Sequence, residues 1–344
     1  MQPQSPPQQM QRRGPPEMGS PAGCKEEGRR RKEDHPHLRI RIGARACLCA
    51  RSRLERLSYQ GNPAVLSLPA VPELPEVETV RLSLAPHLVG HRVVKVEARR
   101  ISLREGIEPA SWRARFTGTR ILALERRGKY LLARAERAVA LFHLGMSGRM
   151  VLRRPDESRE AHTHLVLRMD HGLEVRFVDP RRFGVAVVLR AEELETHPGL
   201  GRLGVDPLGD GMHEALRRAA ARSRAPIRSV LLDQTVLAGL GNIYANEALA
   251  RAGISPLRRA RAISSKRVGV LAAAVRRVLE EALEAGGTTL RDGGFVNASG
   301  DGGYFSVRLL VYGREGEPCV GCGAAIRRRV LTGRSVFYCP RCQR

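Results

Sequence analysis

The chain has 344 residues, enough for two or three domains with buried cores. Basic residues outnumber acidic ones 59 to 35, a formal charge of +24 that points to a polyanionic partner rather than to any particular fold. No stretch approaches the ~20 apolar residues that span a bilayer, and MQPQSPPQQMQRRGPPEMGS at the amino terminus lacks the apolar run of a secretory signal. These features argue for a soluble, cytoplasmic protein and against a membrane partner. Lysine occurs at positions 25, 32, 95, 129 and 266 alone, all other cations being arginine. Each lysine is therefore a candidate for work that needs a compact point charge.

Residues 1–70 hold clustered prolines, the charge run GRRRKEDHPH and no sustained apolar period. That composition predicts a disordered segment or a non-native upstream extension. Cys24, Cys47 and Cys49 lie within it without a second pair at metal-site spacing, and they read as incidental thiols. After Pro72 the texture changes. PEVETVRLSLAPHLVG sets Val77, Val80, Leu84 and Leu88 at helical spacing, with Pro75 suited to a first turn. The apolar runs HRVVKVEA, RILALERRGKYLLARA, VALFHLGMSGRMVLRR, HTHLVLRMD, LEVRFVD and GVAVVLRA follow, separated by turn residues. They predict short strands in a sandwich or barrel over roughly residues 90–190.

From about residue 200 the period becomes helical, in PIRSVLLDQTVLAGLGNIYANEALARAGISP and SKRVGVLAAAVRRVLEEALEAGG. In the first of these, one helix is expected to stop at Gly239 and another to start at Asn242, a good N-cap residue. The free N–H groups of the new helix could hold a phosphate, or the segment could be an ordinary corner. Glycine-rich RDGGFVNASGDGG then precedes a last β-like segment.

That segment carries CVGC and CPRC, with Cys319 and Cys322 separated by sixteen residues from Cys339 and Cys342. Two Cys-x-x-Cys turns at this spacing form a closed tetrahedral thiolate shell, so one structural Zn2+ is expected. Arg327, Arg328, Arg329 and Arg334 lie on the arm between the pairs, which suits a hairpin that touches phosphates.

The ordered set PELPEVETV, RRGKYLL, HLGMSGRM, DPRRFG, GLGNIYANEAL, TTLRD, GYF, VYGREGEPC and GRSVFYCPRCQR resembles the bacterial formamidopyrimidine-DNA glycosylases over residues 71–344. The resemblance implies a multi-domain α+β fold. Its parts are an amino-terminal β-sandwich with a flanking helix (71–200), a helix-two-turn-helix domain (201–300) and a zinc-ribbon hairpin held by four cysteines (301–344). It implies a monomeric repair enzyme acting on double-stranded DNA that contains oxidised purines or abasic sites. Pro72 matches the family's amine nucleophile, Glu73 its acid/base, and Lys129 a lysine that contacts the phosphate near the lesion. Glu76 matches a supporting carboxylate, although its place near a helix start is itself favourable. Met146, Arg181 and Phe183 match residues that enter the duplex where the base is flipped out, while Asn242 and Arg334 match a phosphate clamp. The glycine-rich segment matches a mobile loop over the extruded purine.

One feature conflicts with that chemistry. In VPELPEVETV the nitrogen of Pro72 is an amide bonded to Val71. The expectation is that translation starts at residue 71, from a GTG codon, and that removal of this residue frees Pro72. Proteolytic trimming would have the same result, whereas an untrimmed chain would bind DNA without cutting it. A sister glycosylase for oxidised pyrimidines shares the architecture, but PELPEVET favours the purine enzyme. A single-strand binder is disfavoured by an aromatic content of 4%.

Overall fold

The structure is a computed structural model that describes residues 71–99, 101–289 and 295–344. The expectations for residues 1–70, including the three thiols there, lie outside them. The first helix, α1 (Leu74–Leu88), starts in a reciprocal cap. The Glu73 carboxylate caps the first turn while the Glu73 N–H donates to Glu76 Oε2 at 2.9 Å, the carboxylate version of a capping box. Its Val77, Val80, Leu84 and Leu88 all face inward, as the spacing predicted.

Eight strands and α2 (Pro109–Phe116) follow: β1 (Val93–Ala98), β2 (Ile121–Arg127), β3 (Tyr130–Ala135), β4 (Val139–His143), β5 (Arg149–Arg153), β6 (Thr163–Met169), β7 (Glu174–Val178) and β8 (Val185–Leu189). They form two four-stranded sheets, β1-β6-β7-β5 and β2-β3-β4-β8, antiparallel throughout. Trp112, Phe142, Phe177 and the inner face of α1 fill the main core. β4 is buried along its whole length. The outer face of its sheet is covered too, with Leu132 and Leu141 packed against Leu194 and Leu200. That double burial explains a continuous apolar run where a half-exposed strand would alternate.

The second core belongs to α3 (Met212–Arg222), α4 (Ile227–Leu232), α5 (Asn242–Arg251) and α6 (Ser265–Glu284). The helix before α5 ends at Leu232, not at Gly239 as the sequence suggested. Asp233 stops it, because its Oδ1 accepts the Thr235 N–H at 2.9 Å and the Thr235 hydroxyl at 2.7 Å. This local turn outcompetes helix continuation. The last strands, β9 (Arg327–Leu331) and β10 (Arg334–Tyr338), meet at a two-residue turn with positive φ at Thr332 (49°) and Gly333 (72°), the geometry that matches hairpin twist.

Residues 291–294 of the glycine-rich segment lie outside the described residues. Its remainder is anchored. Phe295 and Ala298 join the sandwich core, and the Leu152 N–H donates to the Ala298 carbonyl at 2.9 Å. No helix among the described residues is long and apolar enough to cross a membrane.

Candidate active site and nucleic-acid interface

The start of α1 and the start of α5 are built against each other. The Leu74 N–H donates to the Gly239 carbonyl at 3.0 Å, and the Ile243 N–H donates to Glu73 Oε1 at 2.9 Å. Glycine is required at this meeting. Gly239 has φ of 95°, and a Cβ there would lie 2.9 Å from that of Leu74. A Cβ on Gly241 would run into the Glu73 carboxyl group. The N–H expected to serve a phosphate is therefore directed at a carboxylate of the protein itself.

Pro72 is buried beside this junction. Glu73 is 3% exposed, and its Oε2 is buried without a hydrogen-bond partner among the described residues. Burial raises the Glu73 pKa to about 7, against the opposing pull of Lys129 and with some reinforcement from Glu76. A carboxyl group so placed is divided between acid and base near neutrality, as proton transfer in both directions requires. Lys129, in the β2–β3 turn, is pushed in the opposite sense. Burial lowers its pKa, Glu73 restores part of it, and Arg334 lowers it further.

Glu76 closes a second layer behind Glu73. Its Oε1 accepts the Tyr244 hydroxyl in a short bond and the Thr288 N–H at 2.8 Å. Tyr244 also meets the Thr288 hydroxyl at 2.8 Å. Burial raises the pKa of Glu76 and drives that of Tyr244 well above its usual range. Sequence reading missed Tyr244 and Thr288, since a tyrosine at helical spacing is indistinguishable from a core residue.

Asn242 does not project freely. Its Oδ1 accepts from Arg228 Nη2 at 2.6 Å, and its Nδ2 donates to the Ser335 carbonyl at 3.1 Å. Arg228 is fully buried, its Nε unpartnered among the described residues. Burial, then Arg334, lowers its pKa to about 10. Exposed Arg334 thus acts on both Lys129 and Arg228, and Lys129 in turn faces Glu73. Such a set of cations suits an anionic phosphate group. Sequence reading also missed Arg228, one arginine among very many.

Met146, Arg181 and Phe183 occupy two turns that touch. Gly145 (φ 63°) packs so closely that a Cβ would lie 2.6 Å from the Phe183 carbonyl carbon. Asp179 pins the pair, accepting the Ser147 hydroxyl at 2.6 Å and the Gly184 N–H at 2.8 Å, while the Arg181 N–H donates to Ser147 Oγ at 3.1 Å. The Arg181 guanidinium lies over the Phe183 ring at 5.3 Å, and that ring is 44% exposed. An aromatic held outward on a polar support is available to another molecule. His143 links this pair to Lys129. It pairs with Tyr130 across β3 and β4 and accepts the Gly145 N–H at 2.9 Å. Burial, with Arg104 and Lys129 nearby, lowers its pKa to about 3.

The four cysteines converge next to the β9–β10 hairpin, one ligand atom of each within 4.8 Å of the others. The Cys319–Cys342 and Cys322–Cys339 separations of 3.9 and 3.5 Å exclude disulfides. They fit the ~3.8 Å edge of a tetrahedron with ~2.3 Å zinc–sulfur bonds. The hairpin docks on α5. Glu247 accepts the N–H groups of Leu310, Val311 and Tyr312, and Asn246 Oδ1 accepts that of Phe337 at 2.9 Å.

A buried carboxyl group thus joins a β-sandwich to a helical domain, with a four-cysteine hairpin bound to the same helix. Residues 71–186 match the formamidopyrimidine-DNA glycosylase N-terminal domain, 203–293 its H2TH domain, and 316–344 the zinc finger found in FPG and IleRS. The chain belongs to the formamidopyrimidine-DNA glycosylase family, and its four cysteines hold one structural zinc. The formamidopyrimidine-DNA glycosylases of Dinoroseobacter shibae and Rhizorhabdus wittichii are 47% and 50% identical to it, over 80% of this chain and their entire lengths. The crystal structure of the MutM (Fpg) protein from Thermus thermophilus superposes with a TM-score of 0.71 at 40% identity, over 79% of this chain and 98% of that one. A Lactococcus lactis Fpg bound to Fapy-dG-containing DNA gives 0.73 at 31%, over 79% and 100%. Another, bound to DNA with an abasic site, gives 0.72 at 31%, over 79% and 99%.

Proposed function

We propose that this chain removes oxidised purines from duplex DNA and then cuts the strand, with the Pro72 nitrogen as nucleophile. The observation that carries the reading is the Glu73 carboxyl group, buried next to Pro72 with a pKa near 7 and one oxygen unpartnered among the described residues. The amine lone pair attacks C1′ of the damaged nucleoside and the glycosidic bond breaks, its electrons leaving with the base, which takes up a proton to balance the N–H proton that the amine gives up. Glu73 protonates the ribose ring oxygen as the sugar opens, which gives an iminium on Pro72. This secondary-amine iminium has no N–H proton to lose and stays an electron sink. Loss of a C2′ proton then expels the 3′ phosphate, and a second elimination expels the 5′ phosphate.

Lys129, Arg228 through Asn242, and Arg334 are placed to hold the phosphate beside the lesion. Met146 and Phe183 are placed to fill the space left by the base, and Arg181 to hydrogen-bond the unpaired partner base. The zinc keeps the hairpin rigid and takes no part in the chemistry. The scheme requires Pro72 to be released from Val71, by initiation at residue 71 or by trimming. The curated relatives are covered end to end by about four fifths of this chain, and the family match begins at residue 71, which supports that requirement.

Borohydride trapping on an 8-oxoguanine duplex, followed by amino-terminal mapping of the adduct, tests the scheme. The expected product is DNA joined to a chain that starts at Pro72. An adduct on a chain that retains residues 1–70 would assign the nucleophile elsewhere, and a thymine-glycol duplex run in parallel checks the preference for purines.

A further inference from the structure

We propose that His91, His171 and Asp170 form a second metal site, for a transition-metal ion of the zinc or nickel kind, at the end of α1 remote from Glu73. One ligand atom from each residue lies within 4.8 Å of the others. Bonds of ~2.0–2.2 Å to imidazole nitrogen and carboxylate oxygen bring such atoms to roughly 3 Å apart, a small adjustment for side chains at the surface. His91 Nδ1 and Asp170 Oδ1 are already 2.9 Å apart, sharing the proton that a metal ion would replace.

A single histidine–aspartate pair on a surface is unremarkable. Here a second imidazole and main-chain orientation are added to it. Asp170 Oδ2 accepts the Arg92 N–H at 2.9 Å, and the Asp170 N–H donates to the Arg92 carbonyl at 2.9 Å. His171 Nε2 lies 2.9 Å from the His87 carbonyl. A carbonyl can only accept, so Nε2 carries the ring proton and Nδ1 carries the lone pair. The Leu173 N–H approaches that lone pair only at 3.4 Å, a long bond that an ion displaces readily. Ligating histidines are commonly held in this way, by a carbonyl on the opposite ring nitrogen.

The two imidazoles stand edge to face at 89° with centroids 4.5 Å apart, not stacked. The Arg92 guanidinium is directed away, to the Gly118 carbonyl and Glu136. Two nitrogens and one oxygen favour zinc, nickel or copper over magnesium or calcium. Asp170 and His171 are exposed, so water completes the shell. His91 lies between α1 and β1, and Asp170 and His171 lie between β6 and β7. A bound ion would therefore fasten the α1–β1 connection to the β6–β7 turn of the sheet that β1 itself joins and stabilise the folded state in proportion to its occupancy.

The test uses the full chain, with its four-cysteine site already loaded with zinc, titrated with Ni2+ and followed by calorimetry and thermal melting. The readout is the difference between the parent and H91A/H171A, which subtracts any uptake by Cys24, Cys47, Cys49, His35 or His37. The parent should bind one more equivalent of Ni2+ than the variant and should melt at a higher temperature when loaded. D170N, which alters one exposed side chain, should weaken the same equivalent. Equal stoichiometry and equal nickel-induced melting shifts in parent and double variant would overturn the proposal.

Discussion

Glu73 and Gly241 are in contact across the junction of two domains, and the contact allows no side chain at position 241. The glycine lets the Ile243 N–H reach the Glu73 carboxylate at 2.9 Å, which fixes the proposed acid/base relative to the helical domain. Gly241→Ala should push the carboxylate off this N–H. The atoms that a Cβ would meet are the Cγ, Cδ and Oε1 of Glu73, so it is the carboxylate itself that must move, away from the place where its burial and its bond to α5 are set. Excision of 8-oxoguanine should fall at least tenfold in single-turnover assays, while zinc content by chromophoric chelation stays at one equivalent.

Glu73 also makes stability depend on pH. Its pKa is about 7 in the fold against an ordinary value of 4.5. Between these values the folded state binds more protons than the unfolded one, so stability falls as pH rises through the window. The full difference corresponds to roughly 3 kcal/mol. Glu73→Gln keeps an acceptor for the Ile243 N–H and removes the titration. The variant should be inactive, yet melt at a higher temperature than the parent at pH 8, with the gap narrowing toward pH 5. A parallel offset at all pH values would contradict the assignment.

The sequence made some parts of this arrangement legible and hid others, for identifiable reasons. Val77, Val80, Leu84 and Leu88 announce α1 because one face of that helix is buried and the other is not. The cysteine pairs announce the metal because thiolate spacing is set by chemistry within a few residues. Tyr244, Thr288, Arg228 and Asp179 gave no such signal. Their meaning lies in partners far away in the chain, as in the bond between Tyr244 and Glu76, 168 positions apart. The helix end assigned to Gly239 was misplaced because a glycine marks a positive-φ turn as readily as a helix terminus. Here the stop came from the Asp233 side chain seven residues after Pro226.

Asp179 should matter for DNA without taking part in the chemistry. It is fully buried and holds the Met146 turn to the Phe183 turn through Ser147 and Gly184. Asp179→Ala leaves both donors without their acceptor, which costs about 1–3 kcal/mol for each buried group left unpaired. Thermal melting should show the loss. Affinity for a lesion duplex should fall more than borohydride trapping on a single-stranded abasic oligonucleotide, where there is no stack to open. Equal losses on the two substrates would place Asp179 in general folding alone.

Removal of the zinc separates binding from chemistry. The metal sets the hairpin that carries Arg334, and the hairpin reaches α5 through the Asn246 contact with Phe337 and the Glu247 contacts with residues 310–312. The Glu73–Ile243 and Glu76–Tyr244 bonds include no atom of the hairpin, whose contact at that end of α5 is the bond from Asn242 to the Ser335 carbonyl. Ligand loss at such a site unfolds what the metal organises. Cys342→Ser, or chelation, should therefore lower duplex affinity at least tenfold, moving the gel-shift midpoint to higher protein concentration. At saturating abasic DNA, the first-order rate of adduct trapping should stay within a few-fold of the parent. A collapse of that rate at saturation would mean that the hairpin helps to shape the catalytic pocket itself, beyond holding the phosphate.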